Sequence, residues 1–343
     1  MLGEKAMLTE REGRILKSLI REYVATVMPV ASKILAQKYN LGVSPATIRQ
    51  EMARLEEGGY VIQPHTSAGR IPSEKGYRYY VELLMEEEEL PEELQTLIRH
   101  QFYQVAREIE EWFRLATAVL SRMLRAAAFI TYPRLSQPKF KHLELISIRD
   151  FLVLLILLLR EAKLKEQTLV LEQALSQEEL SRISRRLNEL FAGLTAWEIR
   201  EKKAELSPVE EKVREVVVEL MEAEETEYEE LYLEGLRHML QQPEFSRKEL
   251  ALQIAELLEE RHRFKSLISR IPLSDKPRAV IGSENPEEAM RNCALILGSY
   301  GLPDRASGAI GVVGPLRLPY EQAFSAVRFL SDIMSELIAE LYG

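Results

Sequence analysis

Ser44, Thr47, Arg49 and Gln50 fall within one short segment, SPATIRQEMARLEE. Their chemistry is that of reading a polar surface. An amide such as Gln50 donates and accepts together and matches the edge of an adenine, whereas the Arg49 guanidinium forks onto guanine or holds a phosphate. Ala46 is small enough to permit close approach, and the Thr47 methyl suits the methyl of thymine. Ser44 and the free N–H groups of a helix start suit a phosphate oxygen. Arg54 flanks the same stretch. Downstream, His65, Thr66, Ser67 and Arg70 occupy the turn HTSAGR, and Lys75 and Arg78 follow. Such residues can run along a nucleic-acid backbone or a minor groove.

Those side chains act together only if short elements hold them. Thr9 and Glu12 match a capping box opening a helix with Ile15, Leu16, Leu19, Ile20 and Tyr23 at helical spacing. Pro29 ends that region. Ser32 reads as the cap of a second helix, KILAQKY, which stops at Asn40 and Gly42. Ser44 caps a third, with Pro45 at the position where a missing N–H costs nothing. Ile48, Met52 and Leu55 recur at i, i+4, i+7 and turn inward, which leaves Ala46, Gln50, Ala53 and Glu57 outside. Gly58-Gly59 closes the helix. YVIQP and RIP then pair as a hairpin around HTSAG, and Ser73 opens a fourth helix reaching about Met85.

Three helices followed by a hairpin is the order of a winged helix-turn-helix, in which the second helix of the pair enters the major groove N-terminal end first. The same geometry also serves as plain packing, with Arg49 or Arg54 paired to nearby glutamates. Glu56 and Glu57 argue that only the front of the helix inserts.

The rest of the chain implies a multidomain α+β protein. The acidic stretch at 86–93 reads as a solvated boundary. An apolar stripe from Leu94 to about Ala127 predicts one long helix. HLELISIR, FLVLLILLL and EQTLVLEQ predict three strands, with helices at 176–191 and 208–223. A helix at 246–268, strands at 278–282, 291–299 and 308–314, and a closing helix from Pro319 complete the chain.

The totals narrow the function. The 343 residues, 46% hydrophobic and 29% charged, suit a soluble globular protein of two or three domains. Net charge is −9, yet residues 1–85 carry twelve Lys/Arg against nine Asp/Glu, leaving −12 for the remainder. The acidic total argues against nonspecific nucleic-acid binding by the whole surface and leaves room for one local basic module. A single cysteine, Cys293, rules out an intrachain disulfide and fits a reducing cytoplasm. No signal-peptide core opens the chain, and Phe151–Leu159 is half the length of a membrane span.

Enzymatic and metal chemistry find little support. The five histidines (65, 100, 142, 238, 262) are scattered, with no HExxH. GAIGVVG lies in an extended apolar run and lacks the GK[ST] ending of a phosphate loop. No cofactor site is expected, and Cys293 reads as a buried small hydrophobe.

The wording LTEREGRILKSLIREYV, PVASK, SPATIRQEMARLEEGGYVIQPHTSAGRIPSEKGYRYYV, IGSEN and GAIGVVGPLRLPY resembles the heat-inducible transcription repressor HrcA family over essentially the whole chain. PHTSAGRIP is highly specific; IGSEN alone is weak. The resemblance implies a repressor binding an inverted-repeat operator, CIRCE, upstream of chaperone operons. It implies a homodimer and dependence on the GroEL chaperonin. It also implies three parts: a winged helix (1–85), a discontinuous GAF-like α/β domain (94–137 and 222–343), and an α+β dimerisation domain inserted at 138–221, built on a three-stranded antiparallel sheet. The family usually reads PVGSK where Ala31 stands, IRN where Gln50 stands, and GPTRM where Leu316 and Leu318 stand. The longer Gln50 amide reaches a different point in the groove. Two rivals remain open on the residues alone: a repressor whose GAF-like domain senses a metabolite, and a signalling protein or enzyme using the winged helix as an interaction module.

Overall fold

The computed structural model describes residues 8–65, 68–86, 88–105, 108–135, 138–159, 164–226, 230–274, 276–302 and 306–342. The chain divides into two compact units. One comprises Met1–Tyr132, Glu230–Tyr300 and Ala309–Leu337; the other comprises Pro133–Glu229, Gly301–Gly308 and Ile338–Gly343.

The first unit begins with α1 (Glu10–Thr26), α2 (Ser32–Lys38) and α3 (Pro45–Glu57), then a hairpin of β1 (Val61–Ile62) and β2 (Ile71–Pro72). Thr9 and Glu12 form the capping box, and the bonds from Thr9 lower the Glu12 carboxyl below its ordinary value. Ala31, not Ser32, stands at the cap position of α2 and offers no side-chain bond; Ser32 is instead buried as the first helical residue. α4 (Glu74–Tyr79) starts from Ser73 and runs on as a π-helical turn over Tyr80–Leu84.

The expected long helix at 94–127 is two helices, α5 (Glu92–Gln104) and α6 (Ile109–Leu124). Val105 is extended after the first, and Glu108 is extended before the second. Ile98, Phe102, Trp112 and Ala116 keep helical phase across that break, so periodicity alone does not reveal it. Arg125, in the left-handed region, ends α6, and the chain passes into β3 (Ala127–Thr131), all five of whose residues are buried. The alanines favour helix, but pairing on both sides of β3 overrides that preference.

β4 (Arg134–Leu135) opens the second unit. β5 (Phe140–Arg149), β6 (Leu152–Leu159) and β7 (Leu164–Val170) form an antiparallel sheet in that order. Burial alternates strictly along β6, with Val153, Leu155, Leu157 and Leu159 on the inner face. That face meets α7 (Gln177–Phe191), α8 (Ala196–Glu201) and α9 (Pro208–Thr226) in one core containing Leu180, Leu187, Phe191, Ile199 and Val217. Within this unit β4 packs against α9.

The chain then re-enters the first unit through β8 (Leu231–Glu234), α10 (Leu236–Leu240), α11 (Lys248–Glu259) and α12 (Arg261–Ser269). The expected single helix at 246–268 is broken at Glu260 (ψ 75°), so that Ile254 and Leu257 of one piece and Phe264 and Ile268 of the other both reach the core. β9 (Arg278–Ile281), β10 (Cys293–Leu302), β11 (Ala306–Pro315) and α13 (Tyr320–Tyr342) follow. The sheet order is β8-β3-β11-β10-β9, with β4 also pairing at Ala306 and Ser307.

Of the expected solvated boundary at 86–93, the described residues other than Leu90 are exposed, and the stretch is also held at several points. Glu86 pairs with Lys17 at 2.6 Å, the Ser325 hydroxyl donates to the Glu88 carbonyl, and Leu90 is buried. Among the described residues, no helix is long and apolar enough to cross a membrane, and no cluster of His, Cys, Asp and Glu is arranged to hold a metal ion.

Candidate nucleic-acid interface

α3 is held from below. Ile48, Met52 and Leu55 are fully or almost fully buried among Ile15, Leu16 and Leu19 of α1 and Leu35 of α2. Each such side chain contributes about 1.5–3 kcal/mol on leaving water. Its N-terminus is fixed by Ser44, whose hydroxyl accepts the Thr47 N–H at 3.2 Å and lies 3.0 Å from the Thr47 hydroxyl. Pro45 occupies the first position. Ala46, Arg49 and Gln50 are exposed beside this fixed end, and Thr47 is half-buried. Among the described residues, the Arg49 guanidinium and Gln50 amide have no partner within the chain. They are cation and amide presented to solvent by a rigid helix start.

Arg54 behaves differently. It lies 3.1 Å from Glu51, whose carboxylate is buried and also lies 3.5 Å from Arg11. The inward turn of Glu51 supplies the structural partner that the sequence left open for Arg54.

The hairpin is small, with Val61 opposite Pro72 and Ile62 opposite Ile71. Arg70 and Val30 exchange both backbone hydrogen bonds, at 2.8 and 2.9 Å, which staples the hairpin to the segment before α2. Gly69 packs so closely on the Val30 carbonyl group that a Cβ there has no room. The Arg70 side chain, expected along a backbone, instead turns inward to Glu56 (Nε 3.0 Å, Nη2 2.9 Å) with 14% of its surface exposed. It braces the hairpin against the rear of α3. His65 is exposed at the tip, and its carbonyl accepts the Ala68 N–H. Thr66 and Ser67 lie outside the described residues.

Lys75 is exposed but donates to the Gly58 carbonyl at 2.7 Å and sits 4.3 Å above the Tyr60 ring. Arg78, expected as a phosphate contact, is bound within the chain. Its Nε meets Glu284 at 2.6 Å, its Nη2 donates to the same carboxylate, and Nη2 also donates to the Ala279 carbonyl at 2.9 Å. Around it, Tyr77 packs on Tyr320 with ring centroids 5.7 Å apart, and burial raises the Tyr77 hydroxyl well above its ordinary range. Arg21 grips Glu321 with two nitrogens. Burial, reinforced by Glu321, raises the Tyr80 hydroxyl beside them.

The arrangement thus brings together Ser44, Ala46, Thr47, Arg49 and Gln50, and gives Arg54, Arg70, Lys75 and Arg78 structural partners. Lys33 escaped the sequence reading. It is exposed in the first turn of α2, the helix that precedes α3. A cation at the start of the shorter helix was the available signal.

A model of the family described as HrcA protein C terminal domain matches residues 110–324. The chain is 46% identical over 338 residues to a heat-inducible transcription repressor HrcA of Dehalococcoides mccartyi (strain ATCC BAA-2266 / KCTC 15142 / 195), covering 98% of each. It is 43% identical to the protein of that name in Roseiflexus castenholzii (strain DSM 13941 / HLO8), covering 98% of this chain and 96% of the relative. A crystal structure of a hypothetical protein shares the fold, with a TM-score of 0.57 at 23% identity, covering 97% of this chain and 98% of the other.

Proposed function

The chain belongs to the HrcA family of heat-inducible transcription repressors, and from that premise we propose that it represses chaperone operons by binding a CIRCE-type inverted repeat as a dimer. The observation that carries the reading is the front of α3: Arg49 and Gln50 stand exposed and unpaired beside a capped helix end whose opposite stripe is sealed in the core. On this reading α1–α3 and the hairpin are a winged helix. Its α3 enters the major groove, Gln50 reads a base edge, and Ser44, Lys33 and the helix N-terminus hold phosphates. His65, Thr66 and Ser67 reach the flanking groove.

A protein two-fold matches a DNA palindrome, so two copies read two half-sites. The second unit is the proposed dimerisation domain. The outer face of its sheet carries Ile146, Leu152, Leu154, Ile156, Leu158 and Val170, and the helices of its core lie on the other face. This apolar stripe along β6 is flanked on the same face by His142 and Glu144 of β5 and by Glu166 and Thr168 of β7, and cover by the same face of a second copy would bury the stripe within a polar rim. The sheet of the first unit is the GAF-like part. Activity would depend on a GroEL-type chaperonin in the cytoplasm, as the family likeness implies.

The test is a gel shift on an inverted-repeat duplex and a scrambled duplex, each with and without chaperonin. The expected result is a shift on the repeat alone, strengthened by chaperonin. Equal binding to both duplexes refutes the operator reading.

A further inference from the structure

Arg78 stands where the sequence places a backbone contact, yet the fold gives it to another partner. Its guanidinium is forked onto the Glu284 carboxylate and capped by the Ala279 carbonyl. One helical turn earlier on α4, Glu74 makes the reciprocal bond. Its carboxylate accepts the Ser283 backbone N–H at 3.0 Å and the Ser283 hydroxyl at 2.6 Å. Gly282 lies between the two pairs at φ +56°, and a Cβ there would collide with the Glu74 side chain. The turn Gly282–Glu284 is therefore shaped to receive the face of α4 that bears Glu74 and Arg78. Glu284 is itself aimed by the Ile281 N–H, which it accepts at 2.8 Å.

We propose that Glu284 and the DNA backbone compete for Arg78, so that the turn Gly282–Glu284 is an intramolecular clasp that withholds one phosphate contact from the operator. The inference rests on the winged-helix reading above. Two features favour competition over a bystander pair. A guanidinium forked onto a carboxylate has its phosphate-binding edge occupied, because both anions use the same parallel N–H groups. Moreover, Glu284 places a carboxylate beside α4, where an approaching phosphate would meet like charge. Opening the clasp exchanges Glu284 for a phosphate at Arg78 and leaves the core of α1–α3 untouched.

Counterion release makes the exchange measurable, because each neutralised phosphate steepens the fall of log K with log salt by about 0.9. The experiment measures binding of the full chain to the repeat duplex between 0.05 and 0.5 M salt, for wild type, Glu284→Gln, Arg78→Ala and the double variant. A glutamine keeps an oxygen for the Ile281 N–H but loses the charge that holds Arg78. Glu284→Gln is expected to steepen the slope by about 0.9 and to tighten binding roughly eightfold near 0.1 M, a gain that closes toward 1 M. Arg78→Ala alone is expected to leave the wild-type slope unchanged, whereas in the Glu284→Gln background it abolishes the gain. Ser283→Ala loosens the neighbouring pair without touching Glu284, and is expected to shift the slope in the same direction. An unchanged slope in both Glu284→Gln and Ser283→Ala overturns the clasp. So does a gain that survives Arg78→Ala. If the wild type shows no salt-dependent binding, the winged-helix reading fails first and the clasp falls with it.

Discussion

Two arginines of one motif are expected to behave oppositely when truncated to alanine. Arg49 is exposed on α3 and unpaired among the described residues; Arg70 is 14% exposed and bonded twice to Glu56. Arg70→Ala removes a partly buried charged pair and leaves Glu56, itself one-third exposed, without its cation. Charged hydrogen bonds are worth about 1.5–3 kcal/mol, and solvent at this pair reduces the loss to roughly 1–2 kcal/mol. For a domain of this size that lowers the melting midpoint by about 2–4 °C per kcal/mol. The backbone bonds to Val30 persist, so the salt slope of DNA binding should not move. Arg49→Ala inverts the pattern: no intrachain side-chain bond among the described residues is lost, stability stays within about 0.5 kcal/mol of wild type, and the slope flattens by about 0.9 if a phosphate is its partner. If Arg49 forks onto a guanine, the loss is about 1–3 kcal/mol on the specific duplex alone. Calorimetry and a salt titration on the same samples decide the matter. A flattened slope with an unchanged midpoint for Arg70→Ala would make that residue a groove contact and refute its assignment as a brace.

Other perturbations address separate parts of the molecule. Gln50→Ala should keep full stability and lose about 1–3 kcal/mol of discrimination at one base pair, read by binding to duplexes varied at each half-site position; uniform weakening across all of them would contradict base reading. Leu154→Glu, on the outer face of the second unit, should weaken self-association by about 2 kcal/mol, or roughly thirtyfold, in sedimentation; an unaltered dimer would place the interface elsewhere. Cys293 is fully buried, and burial alone pushes its thiol up to about 12. It should resist thiol reagents at pH 8 until the chain unfolds. Because the folded thiol keeps its proton where the unfolded one, near 9, releases it, stability should decline as pH rises from about 9 toward 12; flat stability over that window would show the thiol to be accessible.

The amino-terminal elements were legible because local signals agree there. The Thr9 and Ser44 caps, the stripe of Ile48, Met52 and Leu55 and the pairing of Ile62 with Ile71 each leave a mark within a few residues. Elsewhere the deciding contacts are distant. Nothing near Val105 or Glu260 announces a break, because the apolar phase continues and only docking requires the turn. Ala127–Thr131 is a strand because β8 and β11 flank it, one hundred residues or more away in each case. The same limit applies to the site. The exposure of Arg49 and Gln50 was readable from the helical face they occupy, whereas the partners of Arg70 and Arg78, Glu56 and Glu284, arise only when the chain has folded.

A hairpin with two residue pairs cannot stand alone in water. Here its order is borrowed from Val30 and from the rear of α3 through Arg70. Warming that loosens the three-helix core therefore takes the tongue with it, rather than fraying it in advance. On the proposed winged-helix reading, α3 and the hairpin would then be surrendered in one step, and binding of DNA would end abruptly where a chain with an autonomous wing would fade by degrees.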